Sequence, residues 1–568
     1  MKAAALLLAY AAVRVHGCTT LIAGKKATAD GSVICTHSND GEGSSDPRLV
    51  HIPAADHPPG AMRPVFFAFE QYPRYVGTER GDIPAYLPVG NQSVFQAIGH
   101  IPEVPHTYGY HEETYGALNE HQLGIGETTC SGVFGTKPIG QGGKAMMSVD
   151  TMTQLAMERT NTSRAAVALM GAMAEKYGFY GAGSFEGSAE SLMVTDPNEG
   201  WIFHVLPDDT GTSAIWAAQR VPDDHVAVVP NVFVIREVNF SDTYNFQGSA
   251  SVHSVAQKKG WWKPSDGLID FTSVYSDGEY AHKFYSGRRA WAAYHMLAPS
   301  LGLQPDYVEW RKSRPYPVTV APDKKVSLSD IASVMRSYYE GTDFDATVGK
   351  RSSAVAAGPW QTPDHVMGGS ADGKAPGNWE RTIGLWRTSD SIIVQSRSWL
   401  PDATGGVLWW GPHAAPYTLY VPFSAGVTKL PDVTLGHPAK HDRSSLFWAV
   451  RYMFNYAQMR RNVIIKDINA LQQETMAAGL ATIEALTGTT PAAVLNTAFA
   501  TNAEAATKAA FELVEATFFK YADGFISTFD EASGTVDVTM PSYPNWWLNA
   551  VGYANGPPPV PSKKMVWV

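Results

Sequence analysis

Residues 18–40, CTTLIAGKKATADGSVICTHSND, decide the fold at the N-terminal end of this chain. Two short segments, CTTLIAG and ADGSVICTHS, are apolar and rich in β-branched residues, which favour strands. Lys25-Lys26 and Asp30-Gly31 lie around the junction of the two segments and are typical of a turn. The stretch therefore predicts a β-hairpin that begins at Cys18.

The residues before Cys18 have the three parts of a secretory signal peptide. Lys2 is followed by an apolar run over 3–13, and Val15 and Gly17 are small residues at −3 and −1 relative to Cys18. A membrane span needs about 20 apolar residues, so this run is too short to be one. We expect a signal peptide over 1–17, a mature chain that starts at Cys18, and no membrane anchor.

The composition indicates a globular, exported protein that does not bind nucleic acid. Hydrophobic residues make up 44% and charged residues 17% of the 568, and the net charge is −10. The sequons at Asn91, Asn161 and Asn239 add weak support for a secretory route. We expect the protein outside the cell or in a lysosome or vacuole lumen, and a homo-oligomer is allowed.

The later segments cluster by type, which favours an α+β fold. Helices are expected at MSVDTMTQLAMERT, with Ser148 or Asp150 as cap, at TSRAAVALMGAMAEKYG, ending at Gly178, and as two helices within 440–530. We expect a main domain over 18–439 and a helical extension with a tail over 440–568. Further strands are predicted at 123–132, 191–196, 200–206, 226–235, 382–388 and 391–397.

Cys18 would carry a thiol and a free α-amine on one residue once the leader is removed. The amine, with an ordinary pKa of about 7.7–8.0, is a base beside the nucleophile. Alternatives remain open: Cys18 is an ordinary residue, or it is lipidated in a binding protein, although His16 at −2 fits a lipidation box poorly. Cys35 and Cys130 either pair in a disulfide or stay as buried free thiols. No HExxH or CxxC motif is present, so neither a metal nor a cofactor is expected.

Several segments, taken in their order along the chain, resemble the dipeptidase-A family of N-terminal-nucleophile cysteine peptidases. This family is related to bile-salt hydrolases and penicillin V acylases. The segments include the N-terminal hairpin, ALNEHQLGIGETT, ESLMVTDPNEGWIFHV, FYSGRRAWAAYHMLAPS and ERTIGLWRTSDSIIVQSR. The resemblance implies a four-layer αββα hydrolase core with two stacked antiparallel sheets, and it implies hydrolysis of dipeptides.

The resemblance also implies roles for single residues. Cys18 matches the nucleophile, Asp40 the acid that holds its amine, and Arg288 an arginine near the nucleophile, although Arg289 could take either arginine role. Asn119 and Asn231 match the polar residues that stabilise the oxyanion.

His37 stands where the superfamily usually carries an arginine near the thiolate. A histidine is charged only below about pH 6.5, so a preference for acidic pH is expected. We expect His37 and Arg289 to bind substrate, with Arg288 or Arg289 on its carboxylate and Glu127 or Glu190 on its amine. The rival functions are an acylase on non-peptide amides and a secreted or lipid-anchored binding protein.

Overall fold

The computed structural model describes residues 17–41, 46–67, 97–181, 187–277, 283–305, 316–348, 357–363, 381–438 and 440–556. The predicted signal peptide, apart from Gly17, lies outside these residues, as do the sequon at Asn91 and the end of the C-terminal tail. Asn161 is exposed and Asn239 is half-buried.

The strands, in chain order, fall into two groups. The first half of the chain holds β1 Thr20–Ala23, β2 Val33–Asn39, β3 Val50–Ile52, β4 Ala55–Asp56, β5 Met62–Phe66, β6 Ala97–Pro102, β7 His106–Thr107, β8 Tyr110–Glu112, β9 Gly116–Asn119, β10 Gly124–Cys130, β11 Ala189–Thr195, β12 Gly200–Pro207, β13 Ala214–Val221, β14 Val226–Val229, β15 Glu237–Val238, β16 Phe246–Gly248 and β17 Ile269–Asp270. The second half holds β18 Asp390–Ser396, β19 Val407–Pro412, β20 Val421–Ser424, β21 Ile526–Asp530 and β22 Thr535–Thr539.

The α-helices lie in two blocks, one in the middle and one near the C-terminus. They are α1 Val149–Arg159, α2 Ser163–Tyr177, α3 Ser251–Lys258, α4 Phe271–Tyr275, α5 Arg288–Leu297, α6 Leu328–Met335, α7 Asp402–Gly405, α8 Leu446–Ala457, α9 Arg461–Ala485, α10 Ala492–Lys520 and α11 Asn545–Ala550.

Two large antiparallel sheets form the centre of the molecule. The six-stranded sheet has the order β14-β1-β2-β18-β19-β20, and the eight-stranded sheet has the order β16-β13-β12-β11-β10-β9-β8-β3. β1 and β2 pair antiparallel, with Ile22 opposite Cys35, so the predicted N-terminal hairpin is confirmed. The α+β class is likewise confirmed, while the finer four-layer order implied by the resemblance stays a prediction.

The two sheets approach each other closely where β10 crosses β2. A Cβ placed on Gly126 would lie 2.1 Å from the carbonyl oxygen of Thr36 and 2.7 Å from Thr20 Oγ1, so only glycine allows this approach. Both β2 and β10 are buried along their whole length, because each strand packs against the other sheet. The contact brings the first residues of the hairpin against the middle of β10.

Helices α1 and α2 share an apolar core with strands of the eight-stranded sheet. Ser148 caps α1, and Gly178, with φ 73°, ends α2, as the sequence predicts. Thr162 caps α2. The C-terminal region contains three long helices, α8, α9 and α10, and not the two predicted, because Gln458 and Met459 interrupt the first segment. Buried residues of all three join the apolar core of the six-stranded sheet.

Two strand predictions need correction. Residues 382–388 form bends and a turn and not a strand. The segment 226–235 is a strand only to Val229, because Pro230 has no N–H for the ladder and Asn231 takes a left-handed φ of 56°. Among the described helices, none is both long and apolar enough to cross a membrane.

The close approach at Gly126 predicts a specific cost for an added methyl group. Gly126→Ala should lower the free energy of unfolding by about 1–3 kcal/mol, because backbone in β2 must move to make room. Gly135→Ala is the matched control, since its Cβ would meet nothing nearer than 3.4 Å, from Ser188. Urea unfolding of both variants measures the difference, and equal stabilities would contradict the tight packing.

Several histidines, three of them buried and His51 half-buried, are neutral and lie away from the N-terminal hairpin. Burial lowers the pKa of His51, His204 and His413 to about 3 and that of His111 to about 4. His204 Nε2 accepts hydrogen bonds from the backbone N–H groups of Val234, at 3.0 Å, and Ile235, at 3.2 Å, so protonation there would break both.

This burial predicts that the fold loses stability as the pH falls below about 6.5. The unfolded chain takes up protons at its ordinary histidine pKa while the folded chain does not, so the folded state is favoured above that pH and weakened between about 6.5 and 4. His204→Gln should reduce the slope of unfolding free energy against pH by up to about 1.4 kcal/mol per pH unit, the value for one proton. Urea unfolding between pH 7 and 4.5 tests this, and identical slopes in both proteins would contradict it.

Candidate functional site

Cys18 is buried and lies two residues before the first residue of β1, close to both sheets. Its carbonyl oxygen accepts a hydrogen bond from Arg289 Nη1 at 2.6 Å and one from Thr128 Oγ1 at 3.2 Å. Thr128 belongs to β10, next to the close approach at Gly126. The main chain of Cys18 is therefore held from both sides, by the eight-stranded sheet and by helix α5.

Arg289 connects Cys18 to Asn231. Its Nη2 donates to Asn231 Oδ1 at 2.7 Å and to the carbonyl oxygen of Pro230 at 3.1 Å. Asn231 in turn donates from Nδ2 to the carbonyl oxygen of Thr129 at 2.7 Å. Burial, together with the nearby charge of Arg381, lowers the pKa of Arg289 to about 10, so the guanidinium still carries its charge at neutral pH.

The left-handed backbone of Asn231 is a sign of a site under constraint. Non-glycine residues with positive φ are uncommon and cluster at functional positions. The contact with Arg289 fixes which end of the amide is oxygen, and one amide hydrogen is used on Thr129. Asn231 is thus brought to Cys18 as the sequence predicts.

Arg288 does not share this environment. It donates from Nη1 to the carbonyl oxygen of Pro305 at 2.6 Å, and its guanidinium carbon lies 3.3 Å from the ring centre of Phe344. Successive residues of a helix point about 100° apart, so only one of two adjacent arginines on α5 can face Cys18. The assignment of the nucleophile's arginine to Arg288 is therefore corrected to Arg289.

Asp40 and Arg381 form a fully buried ion pair beside the same hairpin. Arg381 donates to the Asp40 carboxylate and to the carbonyl oxygen of Gly17, and Thr388 also donates to Asp40. Burial alone would lower the pKa of Arg381, but the charges of Asp40, Tyr285 and Tyr339 and the hydrogen bond to Asp40 together outweigh it, and the net direction is upward.

Ser38 links this ion pair to the start of the chain. Its hydroxyl accepts from the backbone N–H of Thr19 at 3.0 Å and donates to Asp40 at 3.2 Å. Asp40 is thus positioned next to residues 17–19, as expected. Arg381 was absent from the predicted site, although it lies in the ERTIGLWRT segment that carries the resemblance, because nothing local marks it as a partner of Asp40.

His37 has a ring nitrogen within 4.8 Å of the Cys18 sulfur. Its Nδ1 donates to the carbonyl oxygen of Glu127 at 2.7 Å, and its Nε2 is 3.7 Å from Glu113 Oε1. Burial lowers the pKa of His37 to about 4 in spite of the opposing effects of Glu127 and Asp40. The imidazole is therefore already neutral near pH 6.5. The expectation that His37 is charged below about pH 6.5 and stabilises the thiolate there is wrong.

Asn119 is not brought to Cys18. Both of its amide hydrogens are used on carbonyl oxygens near the end of α1, those of Met157 at 3.0 Å and Thr160 at 2.8 Å. Its Oδ1 accepts from the N–H groups of His121 and Leu123. Leu123 precedes Thr128 by five residues, roughly 16 Å along a strand. This geometry gives Asn119 a role in closing the turn between β9 and β10, in place of the predicted oxyanion donor.

The two remaining predicted acids, Glu127 and Glu190, are both buried. Glu127 Oε1 accepts from Thr129 Oγ1 at 3.0 Å, and Glu190 stands opposite Thr129 in the register of β10 and β11. Glu127 lies near the thiol of Cys18. One of its carboxylate oxygens, the Cys18 sulfur and a His37 ring nitrogen all lie within 4.8 Å of one another.

The other two cysteines, Cys35 and Cys130, are both buried, and no disulfide joins them. Thr195 Oγ1 donates to Cys35 Sγ at 3.2 Å, and Cys130 Sγ lies 2.9 Å from Ser191 Oγ. Burial raises the pKa of Cys35 to about 12, which makes it a poor nucleophile.

The fold and cluster define an α+β protein with a buried thiol at a sheet-to-sheet junction, flanked by two guanidinium groups and by a histidine with carboxylates. Residues 17–474 match the model of peptidase family C69. The chain belongs to this family and is therefore a peptidase by descent.

Curated relatives match over most of their own length. The chain is 24% identical over 475 residues to a probable dipeptidase of Salmonella dublin, covering 81% of this chain and 94% of the relative. It is 23% identical over 440 residues to a probable dipeptidase of Latilactobacillus sakei, covering 77% and 80%. It is also 22% identical over 470 residues to dipeptidase A of Lactobacillus helveticus, covering 81% and 86%.

The different surroundings of the two arginines give a direct test. Arg289→Lys should lower the turnover number for peptide hydrolysis by about 10²-fold, because a lysine cannot hold Cys18 and Asn231 together. KM should change little, since the hydrogen bonds of Arg289 go to other groups of the protein and not to substrate. Arg288→Lys should keep turnover within about threefold, and steady-state kinetics with unfolding curves for both variants separates activity from stability. A larger fall in turnover for Arg288→Lys would contradict the corrected assignment.

Proposed function

We propose that the protein is a cysteine dipeptidase whose nucleophile is Cys18, set free as the N-terminal residue when the leader is removed. The observation that carries the proposal is the joint hold on Cys18 by Arg289 and Thr128, with Asn231 and Asp40 beside it. The names of the curated relatives support dipeptides as the substrate class.

Removal of the leader would leave an amine and a vacated space at Gly17. A Cβ on Gly17 would lie 1.9 Å from the Tyr285 hydroxyl and 3.1 Å from Asn231 Oδ1, so these groups line the place that residue 17 fills. In the proposal, Asp40 accepts a hydrogen bond from the new α-amine and orients it toward the thiol. A carboxylate in that position also favours the amine's charged form when it has taken up the thiol proton.

The reaction then follows from the chemistry of one residue. The Cys18 amine takes the thiol proton, and the sulfur attacks the peptide carbonyl to form a tetrahedral intermediate. The second amide hydrogen of Asn231 stabilises the oxyanion. The protonated amine gives its proton to the leaving amine, the carbon–nitrogen bond breaks, and water hydrolyses the thioester to regenerate the thiol.

The charges around Cys18 suit a substrate with an amine at one end and a carboxylate at the other. Arg289 is committed to the main chain of Cys18, so the substrate carboxylate falls to Arg381, which loses an acceptor when Gly17 departs. The substrate amine falls to Glu127, an acid with a carboxylate oxygen within 4.8 Å of the thiol sulfur. Both charged ends are present in a dipeptide, whereas an acyl amide lacks at least one of them.

The compartment belongs to the same proposal. A leader that is cleaved before Cys18 requires export, so the enzyme would act outside the cell or in a lumen. The exposed Asn161 sequon is open to glycosylation on that route.

Cys18→Ala should abolish dipeptide hydrolysis, by on the order of 10³-fold or more in turnover number, because no other described thiol lies at the cluster. Cys35→Ser is the matched control and should keep activity, since Cys35 is buried against Thr195. N-terminal sequencing of the purified wild type should give Cys18 with a free amine.

A substrate panel separates the rival functions. Free dipeptides should be hydrolysed, while N-acetylated dipeptides, dipeptide amides and acyl amides should react poorly. Normal turnover by Cys18→Ala, or a blocked or different N-terminus, would reject the nucleophile. A preference for acyl amides would favour the acylase, and inactivity on the whole panel would favour the binding protein.

A further inference from the structure

Three metal-binding side chains meet at the thiol of Cys18. Its sulfur, a ring nitrogen of His37 and a carboxylate oxygen of Glu127 all lie within 4.8 Å of one another, and all three residues are buried. Thiolate, imidazole and carboxylate together form a ligand set that zinc accepts.

We propose that the protein binds one Zn²⁺ ion through Cys18, His37 and Glu127, and that this ion reversibly inhibits the enzyme. The ion would take the thiolate that the reaction needs as its nucleophile. The site is thus inhibitory and adds no cofactor to the chemistry. The inhibitory part of this inference rests on the proposed function, whereas zinc binding itself does not.

The hydrogen bonding of His37 is the arrangement that metal-binding histidines use. A carbonyl oxygen can only accept, so the 2.7 Å contact with the Glu127 carbonyl, which is shorter than the 3.3 Å contact between the Glu127 N–H and the same nitrogen, places the ring proton on Nδ1 and leaves the lone pair on Nε2. Nε2 is buried and has no hydrogen-bond partner among the described residues. An unused lone pair in such a position is costly unless something occupies it.

The distances need only a small adjustment. Zinc bonds of about 2.0–2.3 Å in a tetrahedron put neighbouring ligand atoms about 3.5 Å apart. Atoms that lie at most 4.8 Å apart must therefore close by about 1.3 Å or less, which side-chain rotations supply. The Glu113 carboxylate, 3.7 Å from His37 Nε2, adds negative charge near the ion.

Release of the N-terminal amine should strengthen the site. The amine nitrogen and the sulfur of one cysteine close a five-membered ring around a metal, so the mature chain offers one more ligand than a chain that retains Gly17. Motif searches miss this set because its members come from the start of the hairpin, from β2 and from β10.

The test uses the mature wild-type protein, stripped of metal with a chelator and titrated with ZnCl₂ against a chromophoric competitor. Native mass spectrometry should find one zinc ion per chain, and dipeptide hydrolysis should be inhibited and then restored by EDTA. His37→Asn and Glu127→Gln should each weaken zinc binding by at least about 10-fold, and Cys35→Ser should not.

The outcomes separate this inference from the proposed function. Zinc affinity that is unchanged in both His37→Asn and Glu127→Gln, or the absence of a bound ion in the wild type, overturns the site while leaving the dipeptidase intact. Zinc that binds at these residues without slowing hydrolysis overturns the inhibitory role and counts against Cys18 as nucleophile. If one variant fails to fold, which circular dichroism detects, the other decides.

Discussion

The close approach of β2 and β10 at Gly126 is the contact on which the site depends. It is possible because Gly126 has no side chain, and it sets His37 on one sheet against Glu127 and Thr128 on the other. Thr128 then reaches the carbonyl of Cys18 at the start of the hairpin. A displacement of one sheet would separate the thiol and His37 from Glu127 and Thr128, so the geometry of the site depends on the packing of the core.

The buried arginines of the site donate hydrogen bonds to acceptors of the protein and not to solvent. Arg289 and Arg381 together donate to main-chain carbonyls of residues 17, 18 and 230 as well as to Asn231 and Asp40. Burying a guanidinium is costly unless its donors are used. Both arginines therefore need the N-terminal segment in place, which couples the folding of the hairpin to the assembly of the site.

The parts of the structure that local patterns determine could be predicted from the sequence. The β1–β2 hairpin follows from β-branched residues around a turn, and the end of α2 follows from Gly178. The choice between Arg288 and Arg289 could not be predicted, because it depends on how α5 is rotated against the sheets. Arg381 was missed because its partner, Asp40, is 341 residues away. The neutrality of His37 depends on burial, which no short motif reveals.

Burial also changes the expected response of the site to pH. A histidine in place of the superfamily's arginine suggested a thiolate stabilised only in acid, but His37 is neutral above about pH 4. The permanent charge beside Cys18 comes instead from Arg289, whose pKa of about 10 keeps it charged in any ordinary compartment. The neighbouring guanidiniums thus do not titrate in the range where the enzyme would work. The α-amine proposed for Cys18, with its ordinary pKa of about 7.7–8.0, then becomes the group whose protonation limits activity. Acid would both protonate that base and weaken a fold with neutral buried histidines, so these two effects favour a neutral working environment over an acidic lumen.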